Sequence, residues 1–449
     1  MHTKQTGTLR HTVMLAALLA AGAATARPQL LPPQSGDLAS TAVVAPSAMQ
    51  KSAGAPNTRP EPVSLNWATQ APSAAPVPFV GQSREYYQEV SADDLAAGVD
   101  IHTSAPRALV RIQPIAAPGT AEKQAVAPLS LTVRDAGGRS FAAGSGMDLL
   151  VSAEQMSKAG SAFGPGTSAF RLDPKLGSGA FKLSSGANRG SGRYLINVVE
   201  PDSKVAFTLQ TGAPNYLHGQ QLVVLPDLVE QVAGNGERRH AIGKLEGYVT
   251  SPGGRMFPLA FHTRTDGRPG ATLVLDANEA PSPGLWEVHA TSSATVAGQT
   301  VMRSLRYAFG VAMPVARLNG AVSMLNVQDA VGVRLGVDVG APGRYEVRAQ
   351  LYGMRGGVMQ PVAMAHAAQW MNAGTGSITL EYDAAVMAGA RGPFELRDLT
   401  LLDQGRMGLL QRQQRGVTID ERDVLRSGRR SVAPAPSKMK QAADARVKP

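Results

Sequence analysis

The sequence predicts an all-β protein: two tandem β-sandwiches preceded by a β-rich N-terminal domain with short helices. Three observations lead there. Gly 48 and Pro 31 among 449 residues favour short strands and turns over long helices. From residue 216 onward, short apolar or alternating runs recur with turn residues between them at fairly even intervals, which is sandwich spacing. Aromatics are only 5% of the chain and Cys is absent, so the cores must be built from Val, Leu, Ile, Met and Ala. They must also hold together without disulfides.

The elements follow in order. Lys4 and Arg10, an apolar run over 13–21 and the exit site Ala24-Thr25-Ala26 predict a secretory signal peptide over 1–26. That run is shorter than the about 20 residues a spanning helix needs, and no later stretch reaches that length. The expected location is therefore exported, periplasmic or extracellular, with no transmembrane segment. The absence of Cys removes a lipidated-Cys anchor, thiolate metal sites and Cys nucleophiles. Residues 27–80, rich in Ala, Pro, Ser and Thr, read as an extended disordered linker, with an island at Leu65-Asn66-Trp67 suited to docking on a neighbour.

Residues 81–214 read as the β-rich N-terminal domain. A strand over 84–90 leads to a helix over 92–97, capped by Ser91 and stopped by Gly98. Strands at 108–112 and 129–133 precede a one-turn helix with the capping box Ser152-x-x-Gln155. Strands 194–199 and 205–209 flank the turn Glu200-Pro201-Asp202-Ser203. Residues 215–313 form a first sandwich with strands near 222–225, 241–249, 256–261, 272–275, 284–290 and 304–311. Trp286 alternates in phase with Val288 and reads as a core anchor. Residues 314–412 repeat the pattern with strands near 331–337, 343–352, 362–367, 376–382 and 394–401. Residues 413–449 read as a disordered basic tail, because Glu421 to Pro449 carries eight Arg or Lys against three acids.

Much of the net charge of +10 lies in that tail, which has no aromatic residue. A nucleic-acid surface would interleave the two, so no nucleic-acid partner is expected. Loose attraction to anionic lipid or polysaccharide is the natural use of such an end.

No catalytic, cofactor-binding or metal-binding residue is assigned, and no cofactor is expected. The histidines His102, His218, His240, His262, His289 and His366 form no metal motif, though His262 and His289 fall in one sandwich. Ser168 in Gly166-Thr167-Ser168-Ala169 lacks the second Gly of a nucleophile elbow. Gly164-x-Gly166-x-x-Ala169 matches a dinucleotide fingerprint in letters only, since Pro165 interrupts it and no βαβ unit surrounds it. Asp93-Asp94 suits a helix start. Asp266-Gly267, near Asp276, resembles a Ca²⁺ loop, but Arg264 and Arg268 flank it and a hard dication tolerates neither.

Three runs in the last unit carry a family resemblance: Tyr345-x-Val347-x-Ala349-x-Leu351-Tyr352-Gly353, then Met371-Asn372-Ala373-Gly374-Thr375 through Tyr382-Asp383, then Gly392-Pro393-Phe394-Glu395-Leu396 through Leu401. They resemble an immunoglobulin-like accessory module of exported bacterial and archaeal surface proteins and proteases. The middle unit is similar to the immunoglobulin-like modules of von Willebrand-type surface proteins, in Gly284 to Val288 and Arg303 to Phe309. The order of parts resembles an exported bacterial family known as domain of unknown function 4785. The resemblance implies tandem immunoglobulin-like domains and no known activity.

The sequence thus supports an exported non-catalytic scaffold of binding or adhesive character. Its partner would be a protein or polysaccharide of the cell envelope or extracellular space. Two alternatives stand: a secreted hydrolase using Ser168 and His102 of the N-terminal domain, or an inhibitor or chaperone that pairs through an exposed edge strand.

Overall fold

The structure is a computed structural model and describes residues 28–45, 61–72, 79–117, 119–160, 162–186, 192–234, 236–276, 284–327 and 329–429. The signal peptide expected over residues 1–26 lies outside the described residues. No helix among the described residues is long and apolar enough to cross a membrane.

Three cores organise the described residues, each closed between two mostly antiparallel sheets. The N-terminal unit packs a five-stranded sheet, ordered Glu85–Ser91, Arg193–Val199, Leu109–Pro114, Ser168–Leu172 and Met147–Val151, on a four-stranded one, ordered Val99–Thr103, Gly179–Ser185, Leu131–Asp135 and Ser140–Ala142. Period-two alternation supplies its core: Val110, Ile112, Phe170 and Ile196 from one sheet meet Ile101, Val133, Phe181 and Leu183 from the other. Both short helices follow their caps. In Ala92–Ala97 the Ser91 hydroxyl accepts from the Asp94 N–H at 3.0 Å and the Asp94 carboxylate accepts from the Ser91 N–H at 3.1 Å. Ser152 and Gln155 repeat the box at Ala153–Lys158.

In the middle sandwich, Phe79–Ser83, Val205–Thr211, Gln221–Val232, Pro269–Val274 and His262–Thr263 form one sheet, with Gly236–His240 also on Gln221–Val232. The facing sheet is Asn215–Leu217, Gln299–Ala312, Trp286–Val296, Lys244–Thr250 and Met256–Pro258. Trp286 is buried in this core, stacked on Phe257 at 5.4 Å between ring centroids.

Here the structure corrects the expected boundaries. The strands Arg193–Val199 and Val205–Thr211 are both present, but they are not a hairpin. The first pairs with Glu85–Ser91, and the second pairs with Phe79–Ser83 and Gln221–Val232 of the middle sandwich. The N-terminal unit is therefore inserted between two neighbouring strands of the middle sandwich, and the chain crosses the boundary at residues 83–85 and 199–205. The local turn chemistry at 200–203 is compatible with either outcome. A residue distant in sequence, Arg303, bonds to Glu200 and Ser203 of that turn.

The C-terminal sandwich packs a six-stranded sheet on the three-stranded sheet Ala316–Val327, Ala330–Val339 and Gly374–Asp383. Four strands of the large sheet are consecutive in space: Gly408–Ile419, Arg391–Asp403, Gly343–Arg355 and Val358–Met371. Its two outermost strands come from the segment expected to be a linker. Gln29–Leu30 pairs with Gly408–Ile419, and Val63–Ala68 pairs with Val358–Met371, so the island at Leu65–Trp67 docks as a strand. Between them, Leu38 bridges to Arg412, and the Val44 N–H donates to the Pro314 carbonyl at 2.9 Å. A Cβ on Gly340 would collide with the Val44 carbonyl, so glycine is what lets this strap lie flat. Composition alone concealed the order, because main-chain pairing with distant strands supplies it.

The expected tail also changes. The strand Gly408–Ile419 continues through residue 419, and Glu421–Arg429 is helical. Gln411 and Gln413 made the strand look polar, yet both are buried. Gln411 accepts from the Leu318 N–H at 3.0 Å, and Gln413 donates to the Leu31 carbonyl at 2.9 Å. Residues 430–449 lie outside the described residues.

Candidate binding face

The C-terminal six-stranded sheet has two faces, and alternation sorts them. Along Gly343–Arg355, Tyr345, Val347, Ala349 and Leu351 enter the core. Arg344, Glu346, Arg348, Gln350 and Tyr352 therefore point to the opposite face. The register places His366 opposite Arg348, Met364 opposite Gln350 and Trp370 opposite Arg344 on that face. The strap strand adds Val63, Leu65 and Trp67, opposite Ala368, His366 and Met364.

Glu346 is the hub. It is buried and accepts hydrogen bonds from Arg348 and Gln404, while His366 Nδ1 lies 3.2 Å from its carboxylate. Gln404 in turn accepts from Arg344 at 2.8 Å, and Arg344 donates to the Glu61 carbonyl of the strap at 2.8 Å. The Trp67 ring stands edge-on to the His366 ring at 5.7 Å. A second carboxylate, Glu395, is held by Arg397 at 2.8 Å and Arg415 at 2.5 Å, and the Arg397 guanidinium lies 4.2 Å over the Tyr352 ring. Trp67 and Trp370 remain 48% and 43% exposed. By register they are six residues apart along the sheet, about 20 Å. The face thus carries exposed aromatic rings separated by fixed charges and amides.

Burial by itself raises the pKa of Glu346, but the hydrogen bonds from Arg348 and Gln404 outweigh it and hold the carboxyl below its ordinary value. Glu395 follows the same balance, with Arg415 and Arg397 opposing burial. A depressed carboxylate stabilises the fold fully above the unfolded Glu value of about 4.3. That stability is lost as pH falls through the folded value, because the unfolded chain takes up the proton first. The C-terminal sandwich is accordingly expected to lose stability progressively below that pH. Glu346→Gln should flatten the slope in urea titrations at a series of pH values; an unchanged slope would remove Glu346 as its source.

The other sequence candidates are not brought together. Ser168 is buried in Ser168–Leu172, whereas His102 lies in the other sheet, on Val99–Thr103, where its N–H donates to the Tyr86 hydroxyl at 2.9 Å. Gly166 turns the chain at φ +75 under the Ala121 carbonyl, with no helix following, so it forms no phosphate cradle. Asp266 is engaged by Arg268 at 2.8 Å and by Arg264 at 3.3 Å. His262 and His289 sit on different sheets. His289 stacks on Tyr248 at 4.6 Å, and burial holds its pKa below the ordinary imidazole value, against the pull of Glu287. His218 Nδ1 meets the Asp276 carbonyl at 2.7 Å, and His240 pairs with Glu230 at 2.9 Å. Among the described residues, no group of three or more His, Asp or Glu could hold a metal ion. A cleft of about 320 Å³ where the strap crosses the middle sandwich is lined by Asp37, Asn215, Tyr216 and Gln220. The Asp37 carboxylate there already accepts from the Gln34 and Gln414 N–H groups.

One polar cluster escaped the sequence entirely. Arg303 and Glu200 are both 0% exposed and lie 2.8 Å apart at the junction of the N-terminal and middle units. Glu200 also accepts from the Ser104 N–H and hydroxyl, both at 2.6 Å, and from the Ala105 N–H at 3.2 Å. Arg303 donates further to the Met302 and Val205 carbonyls and to the Ser104 and Ser203 hydroxyls. Every donor of this junction is spent on protein, so it is a fastener and not a ligand site.

Sandwiches joined in this way define an all-β multidomain protein. Two family models match the chain: the Domain of unknown function (DUF4785) N-terminal domain over residues 54–200 and the DUF4785 C-terminal domain over residues 315–420. The chain belongs to the DUF4785 family. Its fold is similar to the crystal structure of a DUF4785 family protein from Legionella pneumophila subsp. pneumophila strain Philadelphia 1, with a TM-score of 0.67 at 20% identity, covering 85% of this chain and 99% of that one. Escherichia coli alpha-2-macroglobulin activated by porcine elastase aligns at 12% identity over 74% of this chain and 34% of that one, but its TM-score of 0.15 supports no argument. No curated protein matches the chain.

Proposed function

We propose that this is an exported, non-catalytic scaffold that binds a polysaccharide of the cell envelope through the outer face of its C-terminal sheet. The carrying observation is the pairing of Trp67 and Trp370, exposed on one sheet face with the Glu346, Arg348 and His366 cluster between them in register. Flat aromatic rings stack on the apolar faces of sugar rings, and fixed charges and amides satisfy hydroxyl groups. A rigid sheet sets their spacing without an ordering cost at binding. Export is the expectation carried by residues 1–26. The hydrolase reading has less support, since Ser168 and His102 lie in different sheets.

The test uses protein recovered from periplasmic or extracellular fractions, incubated with protease-treated envelope polysaccharide and pelleted. Retention of the natural chain is expected, with at least about tenfold weaker binding for the Trp67→Ala/Trp370→Ala variant. Equal retention of the two would overturn the assignment of this face, and recovery from the cytoplasm alone would overturn export.

A further inference from the structure

The outer face of the C-terminal sheet carries fixed cations beside its aromatic rings. Residues opposite one another in a ladder share a face. Arg348 lies opposite Thr400, and Thr400 lies opposite Arg412 on Gly408–Ile419. In the neighbouring row Gln350 lies opposite Arg397, and Arg397 opposite Arg415. The same row runs the other way through Met364 to Trp67. Trp67 is therefore three strand spacings, about 14 Å, from Arg397.

Each guanidinium is tethered to a carboxylate of its own face. Arg348 donates through Nε to Glu346, Arg397 through Nε to Glu395 at 2.8 Å, and Arg412 through Nε to Asp398 at 2.6 Å. Arg415 donates to Glu395 through Nη2 at 2.5 Å. Among the described residues, the Nη1 and Nη2 groups of Arg348, Arg397 and Arg412 donate to no protein atom. Those two groups form the edge of the fork that matches two oxygens of a carboxylate or phosphate. The tethering carboxylates sit deeper. The four Arg side chains are between 30% and 51% exposed, whereas Glu346, Glu395 and Asp398 are 3%, 12% and 27% exposed. Four cations stand over three anions, so a molecule approaching the face meets positive charge first.

We infer that the polysaccharide held by this face is an acidic one, its carboxylate or phosphate groups bound by Arg348, Arg397, Arg412 and Arg415 while a sugar ring stacks on Trp67. This rests on the polysaccharide reading above and narrows it. A neutral chain would form no ion-to-ion hydrogen bond with the open Nη groups, whereas an acidic chain satisfies them in pairs. Tethering at one nitrogen also leaves each guanidinium less freedom to lose on binding.

The test measures binding of the full chain at about 0.15 M salt, where long-range attraction is screened. Separate beads carry polygalacturonate, phosphomannan, or each polymer after carboxyl reduction or dephosphorylation. Retention on polygalacturonate or phosphomannan is expected, and which of the two is held tells a carboxylate from a phosphate. Binding should be at least about tenfold weaker to the neutralised polymer. Arg348→Gln/Arg415→Gln should lose about tenfold on the acidic polymer. Glu346 keeps Gln404 and Glu395 keeps Arg397 in that variant. Arg238→Gln/Arg239→Gln, on the exposed middle strand Gly236–His240, removes the same charge and should bind as the natural chain does. If the first variant fails to fold, Arg348→Lys/Arg415→Lys keeps the charge without the fork and should still bind measurably more weakly. Equal losses in the two Gln variants would overturn the site as mere net-charge attraction. Equal retention on acidic and neutralised polymers, abolished by Trp67→Ala/Trp370→Ala, would overturn the acid requirement and leave the polysaccharide reading standing. Retention on none of the polymers would overturn the inference, while the envelope pull-down separately decides the broader reading.

Discussion

Replacing Arg303 with Met is expected to cost about 3–5 kcal/mol, since it leaves the Glu200 carboxylate charged and unpaired where water cannot reach it. The loss should fall on the junction. Glu200 belongs to the turn that leaves the N-terminal unit, Arg303 belongs to the middle strand Gln299–Ala312, and Ser104 and Ser203 are bonded to both. Urea unfolding followed by far-UV circular dichroism should show the transition of the joined units moving to lower urea. The C-terminal sandwich, with a separate core, should unfold as before. The decisive companion is Glu200→Gln/Arg303→Met. With no charge left to strand, it should recover most of the lost stability. A double variant as unstable as the single one would mean that the geometry of the guanidinium, and not its pairing, holds the junction.

Trp286→Ala should be comparably damaging, about 3–5 kcal/mol, through a different mechanism. The indole fills the space between the two middle sheets, stacked on Phe257 and close to His218 at 6.1 Å and Phe309 at 6.4 Å. Those rings are positioned by three separate strands or turns, so they cannot collapse together into the void. Hydrogen exchange should show lost protection across Trp286–Val296 and Gln299–Ala312, with Gly343–Arg355 unaffected. Uniform loss over all three units would instead show that the middle core underwrites the whole chain.

Trp286 also shows where sequence reasoning succeeds. Its burial follows from alternation with Val288 inside one strand, a pattern carried by neighbouring residues. The capping boxes at Ser91 and Ser152 are local in the same way, and both form. The same alternation along 343–352 separates Tyr345 and Val347 from Glu346 and Arg348. It marks two faces, but it does not say that Glu346 is buried or that His366 and Gln404 surround it. Those partners lie 20 and 58 residues away, and nothing in either neighbourhood advertises the other. The strap was harder to read. Val63–Ala68 is too short to carry a periodic signal, and its order depends on a strand roughly 300 residues downstream.

By itself, the sequence determined the all-β class, most strand positions, the helix caps and the core anchor, because each depends on residues within a few positions of one another. In the order of its parts it also carried the resemblance to the DUF4785 family. Only the tertiary structure decided that the N-terminal unit is inserted into the middle sandwich, that Arg303 fastens it, and that an Ala- and Pro-rich stretch completes both edges of the last sheet. Each of these is a main-chain ladder or a buried charge satisfied by a partner far along the chain. Such pairings are chosen by what remains unpaired once the local elements have formed, and composition and periodicity carry no record of them.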